Sequence, residues 1–132
     1  MSQENVAVVR SAFDAFNARD VDGLVALAAE DCEWVPFRAQ LEGTVYRGHA
    51  GVRQFVRDMD ADWQAFRIDP LEVHDGPALV AVIGRVTARG QGSGVEIDSI
   101  AGFVFELQKG RIRRITSHGD PNAALEAMGL SD

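Results

Sequence analysis

The chain has 132 residues, of which 46% are apolar, and its formal net charge at pH 7 is −7. This length and composition suit a single folded domain, which we predict over residues 1–132, and they exclude a disordered chain. The acidic balance argues against a nucleic-acid partner, because nucleic-acid binding needs a basic surface facing the phosphates. No apolar run approaches the roughly 18–20 residues that cross a bilayer, so no membrane partner is expected. The N-terminus lacks a secretory signal pattern and Cys32 is the only cysteine, which together predict a cytoplasmic location.

Helices are predicted in the first half of the chain, over residues 4–19, 22–29 and 50–64. The first has apolar residues at three- and four-residue spacing, from Val6 to Phe16, which is typical of an amphipathic helix. Asp20 or Asp22 can cap the second. Between the second and third helices, CEWVPF at 32–37 is predicted to be a strand that ends near Pro36, followed by an irregular connection at 38–48.

The second half of the chain is predicted to be mostly strand. Four strands, at 66–74, 78–89, 95–108 and 111–118, are separated by short turns that include GQGSG and Lys109-Gly110. Short turns force neighbouring strands to pair antiparallel. A final short helix is predicted within 119–129, with Asp120 as its cap. Helices collected before a series of hairpins predict an α+β fold rather than an α/β fold.

Several segments together resemble one protein family. They are the opening ENVAVVRSAFDAFNARDVDGLVALAAEDCEW, then VYRGHAGVRQFVRD, GSGVEID, KGRI and the final DPNAALEAMGL. These are similar to SnoaL-like proteins, which belong to the NTF2-like superfamily together with ketosteroid isomerase. The resemblance implies a cone, in which a curved antiparallel sheet wraps around the N-terminal helices and encloses an apolar pocket. It also implies a homodimer formed through the outer face of the sheet.

The predicted strand at 95–108 indicates which residues could line such a pocket. Side chains alternate between the two faces of a strand, so its apolar odd positions are expected to face the core. Ser99 and Ala101 are small residues on this face, which either leave room for a ligand or accommodate large neighbouring side chains. The candidate ligand-binding residues, most of which could equally be plain core, are Trp34, Phe55, Met59, Trp63, Ser99, Ala101 and Phe103.

Asp98 and His118 are the candidate catalytic residues, because proton transfer in an apolar pocket needs an ionisable group with a shifted pKa. Asp98 has the parity of the outer face, and only a β-bulge would turn it inward. His118 ends the last strand and could lie at the pocket or at the surface. Arg85 either enters the pocket or, on the outer face, pairs with Glu96 or Asp98 across the hairpin.

The departures from ketosteroid isomerase argue against its reaction. Where that enzyme has a tyrosine and two aspartates, approximate alignment places Ala12, Pro36 and Ala101 here. None of these side chains can donate or transfer a proton.

His49 follows Gly48, where a helix is expected to begin, and it is interpreted as part of that turn rather than as a catalytic group. No metal or cofactor is expected, because no metal-ligand spacing, phosphate loop or dinucleotide motif is present. Two functions therefore stay open. The chain is either a cofactor-free isomerase, cyclase or hydrolase that acts on a small apolar molecule, or a non-catalytic ligand-binding or dimer-forming domain.

Overall fold

The computed structural model describes residues 2–36, 43, 45–76 and 78–127. The helices in this part of the chain are α1 (Ser2–Ala18), α2 (Val21–Leu27), α3 (Gly48–Asp62) and α4 (Pro121–Ala127). The strands are β1 (Ala28–Val35), β2 (Tyr46–Arg47), β3 (Trp63–Asp75), β4 (Leu79–Gly90), β5 (Glu96–Gln108) and β6 (Arg111–His118). The α+β class is therefore confirmed. Of the irregular connection predicted at 38–48, residues 38–42 and 44 lie outside the described residues. The last two residues of the predicted final helix, 128 and 129, also lie outside them.

Two boundaries differ from the prediction near α2. Asp20 caps α2 as expected, since its carboxylate accepts a hydrogen bond from the backbone N–H of Gly23 at 3.0 Å. The helix ends at Leu27, and Ala28 is already extended. The sequence AAED at 28–31 has no alternation to identify it as a strand, so the start of β1 was predicted four residues too late.

The six strands form one curved, unclosed sheet in the order β2-β1-β6-β5-β4-β3. The three hairpins that join β3 to β6 are antiparallel, as their short turns require. β1 departs from this arrangement because it pairs in parallel with β6, with Trp34 opposite Ile115. These two strands are far apart in the sequence, so no tight turn dictates their relative direction.

The two faces of the sheet have different partners, and we call them the inner and outer faces. The inner face carries Phe103 and Phe105, whose rings contact the ring of Phe13 in α1 edge to face, with centroids 5.7 and 5.4 Å apart. The outer face carries Ala81 and Val104, which are buried against Ala124 of α4. The side chains at the odd positions of β5 therefore lie on the face that packs against α1, α2 and α3, as the alternation predicted.

Gly102 allows α4 to lie directly on the outer face. A Cβ atom at this position would be 2.6 Å from the Cβ of Ala124, which is closer than carbon atoms approach, and 3.1 Å from the backbone of Pro121. The absence of a side chain at Gly102 thus sets how closely the helix and β5 pack.

None of the described helices combines the length and the apolar character needed to cross a membrane.

Candidate functional site

An apolar cavity of about 60 Å³ lies between the helices and the inner face of the sheet. Helices α1, α2 and α3 form one side, and β1, β3, β5 and β6 form the other. Its lining residues are Ala12, Phe13, Phe16, Leu24, Trp34, Val35, Pro36, Phe55, Ile68, Phe103, Phe105, Ile115 and Ser117.

The volume limits what the cavity can hold. An engineered cavity of about 150 Å³ is large enough for benzene, so 60 Å³ accommodates a smaller molecule or one end of a larger one. A larger ligand would need the lining side chains to move.

Aromatic rings form much of the cavity surface and hold one another in place. Phe55 of α3 contacts the ring of Trp34 edge to face at 5.5 Å and the ring of Phe16 at 6.0 Å. These three rings connect α1, α3 and β1 around the cavity. Such contacts add roughly 0.5–1.5 kcal/mol each to the burial of the rings.

Among the described lining residues, only Trp34 and Ser117 have polar atoms in their side chains. Trp34 is 6% exposed, and its indole Nε1 is shielded from solvent and has no hydrogen-bond partner in the described part of the chain. A buried donor without a partner costs about 1–3 kcal/mol. Such an unpaired group is rare in folded proteins and calls for an explanation.

Three of the seven ligand-binding candidates line this cavity, namely Trp34, Phe55 and Phe103. The other four do not lie among its lining residues. Met59 packs on the core, and Trp63 is half-buried with its ring against Phe66 at 5.6 Å.

Ser99 and Ala101, the small residues of β5, lie beyond the cavity along the strand. Ser99 is exposed, and Ala101 is half-buried opposite Gly84 of β4. Large side chains occupy the space beside Gly84, the partner of Ala101, because a Cβ atom at Gly84 would meet Phe103 and Ile68 at 3.3 and 3.1 Å. Ala101 itself packs against the core.

Asp98 lies on the outer face, where the guanidinium of Arg85 donates two hydrogen bonds to its carboxylate at 2.8 and 2.6 Å. The pair spans the β4–β5 hairpin, as one of the two interpretations of Arg85 predicted. Hydrogen bonding and charge from Arg85 lower the pKa of the Asp98 carboxyl below its ordinary value. Asp98 is therefore ionised at neutral pH and is a weaker base than an ordinary aspartate.

His118 also has the parity of the outer face. It pairs with Gly102 of β5, and its Nε2 lies 3.1 Å from the hydroxyl oxygen of Thr116. His118 is half-buried and is not a lining residue of the cavity. The fold thus brings neither catalytic candidate to the cavity.

His49 joins the start of α3 to the start of β1. Its Nε2 donates a hydrogen bond to the carbonyl oxygen of Ala28 at 2.9 Å. Gly48 before it has a φ of +67°, a backbone conformation that glycine adopts readily. This arrangement agrees with the structural interpretation of His49.

Five of the ten described lining residues that the sequence reasoning missed come from α1 and β6. Phe13 and Phe16 belong to the apolar stripe that predicted α1, so their inward direction was visible, but the position of a cavity along the helix was not. Ser117 lies two residues from Ile115 on the same face of β6, and this parity is the signal that could have identified it.

The chemistry of the cavity differs from that of ketosteroid isomerase. Two of the three aligned positions, Ala12 and Pro36, line the cavity, and neither has a side chain that can exchange a proton. Within the described ranges, no three His, Cys, Asp or Glu side chains come together in a group that could hold a metal ion.

The fold is shared by many solved structures. An NTF2-like protein from Burkholderia xenovorans LB400 is 26% identical, with a TM-score of 0.77 over 96% of this chain and 97% of that one. TerC, co-crystallised with polyporic acid, is 21% identical, with a TM-score of 0.79 over 96% and 98%. A protein from Catenulispora acidiphila DSM 44928 with a ketosteroid isomerase-like fold, in complex with trimethylamine, is 14% identical, with a TM-score of 0.77 over 93% and 92%.

No curated protein matches the chain. The model of the SnoaL-like domain family matches residues 9–115, which include the second half of α1, all of α2 and α3, and the sheet as far as Ile115 in β6. The chain belongs to the SnoaL-like domain family.

Proposed function

We propose that the protein binds a small, largely apolar molecule, or the apolar end of a larger one, in the cavity between its helices and sheet. The observation that carries this proposal is the lining, in which eleven of thirteen described residues have wholly apolar side chains. Binding sites for small molecules are typically concave and apolar, with a few polar groups that orient the ligand. TerC with polyporic acid and the Catenulispora acidiphila protein with trimethylamine support a small-molecule role for this fold.

The composition of the cavity favours binding without acid–base catalysis. General acid–base catalysis needs a titratable group within hydrogen-bond reach of the substrate. The described lining residues include no Asp, Glu, His, Lys, Arg, Cys or Tyr. A non-catalytic ligand-binding domain is therefore the function that this geometry supports best.

A cofactor-free isomerase, cyclase or hydrolase is the alternative proposal. In that case Asp98 and His118 would be the acid–base residues, and the substrate would contact the outer face of the sheet. Two hydrogen bonds from Arg85 hold the Asp98 carboxylate in a defined orientation, which is the feature that favours this alternative, whereas the lowered pKa of Asp98 makes it a weaker base.

A homodimer through the outer face is part of the proposal. Ile100 is on this face and is 40% exposed, which is high for a large apolar side chain in a strand. Covering it by a second copy would remove this apolar surface from water.

Filling the cavity tests the binding function. Ala12 lies on α1, is 4% exposed and lines the cavity, so Ala12→Leu places three additional carbon atoms in the space a ligand would use. We expect the variant to lose binding of a small apolar probe such as 2-methyl-1-butene, measured by NMR titration of methyl resonances. Ala18→Leu, at an exposed position of the same helix, is the matched control and should bind as the unmodified protein does.

Unchanged probe binding by a folded Ala12→Leu variant would contradict a ligand site in this cavity. A probe that perturbs resonances of Asp98 and His118 instead would favour the outer-face alternative.

A further inference from the structure

The indole N–H of Trp34 is the polar group of the cavity that has no partner within the described residues. Trp34 is part of the cavity surface, and its Nε1 is shielded from solvent. The ring is held between β1 and α3, since its backbone pairs with Ile115 and Tyr46 and its ring contacts Phe55 at 5.5 Å. The donor is therefore fixed in place, and no residue in the described part of the chain satisfies it.

The chemistry of this group restricts a ligand that would satisfy it. An indole nitrogen donates one hydrogen bond and accepts none, so the ligand must provide an acceptor. Because Nε1 is shielded from solvent, an acceptor on a ligand in the cavity would reach it only after a local shift of the surrounding atoms, and an oxygen on a small ligand needs the smallest shift. The energetic gain is larger than for a solvated donor, since binding removes an existing unpaired group.

The same surroundings disfavour a charged ligand. The described lining residues include no Lys, Arg or His that could neutralise a carboxylate or phosphate. Burying an unpaired anion among apolar side chains costs far more than one hydrogen bond returns. The acceptor must therefore belong to a neutral group.

We propose that Trp34 makes the cavity selective for neutral ligands with an acceptor oxygen, such as a ketone, an ester or an ether. This inference rests on the proposed binding function and adds a class of ligand to it. Trp34 acts here as a specificity residue, since an indole N–H at neutral pH does not transfer its proton.

Two matched probes test this selectivity, butanone and 2-methyl-1-butene, which differ by the exchange of C=O for C=CH₂. The dissociation constant of each is measured by NMR titration for the unmodified protein and for Trp34→Phe, which keeps an aromatic ring but lacks the N–H. Differences in probe hydration cancel when the two proteins are compared. We expect the preference for butanone over the alkene to fall roughly threefold to tenfold in Trp34→Phe.

Trp63→Phe is the matched control, because Trp63 is half-buried against Phe66 and does not line the cavity. It should keep the butanone preference of the unmodified protein. Trp63→Phe also leaves Trp34 as the only tryptophan, so the indole N–H resonance of Trp34 is then assigned without a change at Trp34 itself. We expect butanone, and not the alkene, to move this proton resonance downfield, a readout that holds even if Trp34→Phe does not fold.

The possible results distinguish a failure of the Trp34 selectivity from a failure of the proposed binding function on which it rests. If both probes bind, the preference is the same in Trp34→Phe and the indole resonance does not respond to butanone, the selectivity is refuted and apolar binding stands. If neither probe perturbs resonances of lining residues, apolar binding fails and the selectivity fails with it. Tighter binding of cyclohexanecarboxylate than of butanone would also overturn the restriction to neutral ligands.

Discussion

Arg85 and Asp98 face each other across the β4–β5 hairpin, and this pairing determines how Asp98 behaves. Both side chains are more than half exposed, at 52% and 59%. Exposed ion pairs contribute little to stability because water and salt screen them. The main effect of the pair is on Asp98 itself, whose pKa Arg85 lowers.

Asp98→Asn should therefore have a small effect with a specific pH dependence. A carboxyl whose pKa is lower in the folded state stabilises the fold above its unfolded pKa, about 3.9, and this contribution is lost as the pH falls through the lower folded value. We expect a slightly lower melting temperature for Asp98→Asn at pH 7 and no difference from the unmodified protein in acid, measured by calorimetry. Ser99→Ala, at the neighbouring exposed residue, is the control. An equal loss of stability at every pH would show that the ion pair is not the cause.

In β5, the face that each side chain occupies could be predicted from the sequence, but the position of the cavity along the strand could not. Alternation determines which face a side chain occupies, so the outward direction of Asp98 and its pairing with Arg85 could be predicted. Alternation carries no information on where along the strand a cavity lies. For that reason the two candidates on this face differ: Phe103 lines the cavity, whereas Ser99 is exposed.

The packing of helix α4 on strand β5 depends on the absence of a side chain at Gly102. Gly102 lies under α4, with Ala124 and the backbone of Pro121 directly above it. Because backbone atoms cannot rotate out of the way as a side chain can, a methyl group here must displace the helix.

Gly102→Ala should destabilise the protein by about 1–3 kcal/mol, the usual cost of inserting atoms into a packed site. Urea unfolding measures this change. Ala124→Gly removes one of the two clashing methyl groups, so the double variant should be less destabilised than the sum of the two single variants. Strict additivity would mean that the two residues do not meet as described.

Local sequence signals were sufficient to predict the strands and pairing of the hairpins, but they were insufficient to predict the pairing of β1 and β2 in the rest of the sheet. Glycine-rich turns identified β3 to β6 and their antiparallel pairing. β2 has only two residues, Tyr46 and Arg47, too few to show any period. The parallel pairing of β1 with β6 depends on the whole fold, and nothing in either strand encodes it locally.

The molecule as a whole has apolar surface on the outer face that one chain leaves uncovered. Ile100 pairs with Arg85 of β4 and lies next to the charged pair, so a partner surface here would combine an apolar contact with charges. A stable dimer typically buries about 800 Å² on each partner, of which Ile100 would supply a small part.

Ile100→Glu tests this interface. Placing a carboxylate beside Asp98 should prevent a second copy from docking, because like charges would be brought together without water. Sedimentation equilibrium should show a dimer for the unmodified protein and a monomer for Ile100→Glu. Val95→Glu, at an exposed apolar residue of the β4–β5 turn, is the control and should stay dimeric. A monomeric unmodified protein would refute the proposed dimer.

The parallel contact of β1 with β6 has a consequence for the newly synthesised chain. Trp34 reaches its final surroundings only after Ile115 and Ser117 have left the ribosome, since β6 lies between β1 and β5 in the sheet. A nascent chain that stops before Arg111 has α1, α2, α3 and the first two hairpins but not this side of the cavity. Binding of the proposed ligand would therefore be confined to the finished fold, and a bound molecule would stabilise completed copies while leaving unfinished ones to quality control.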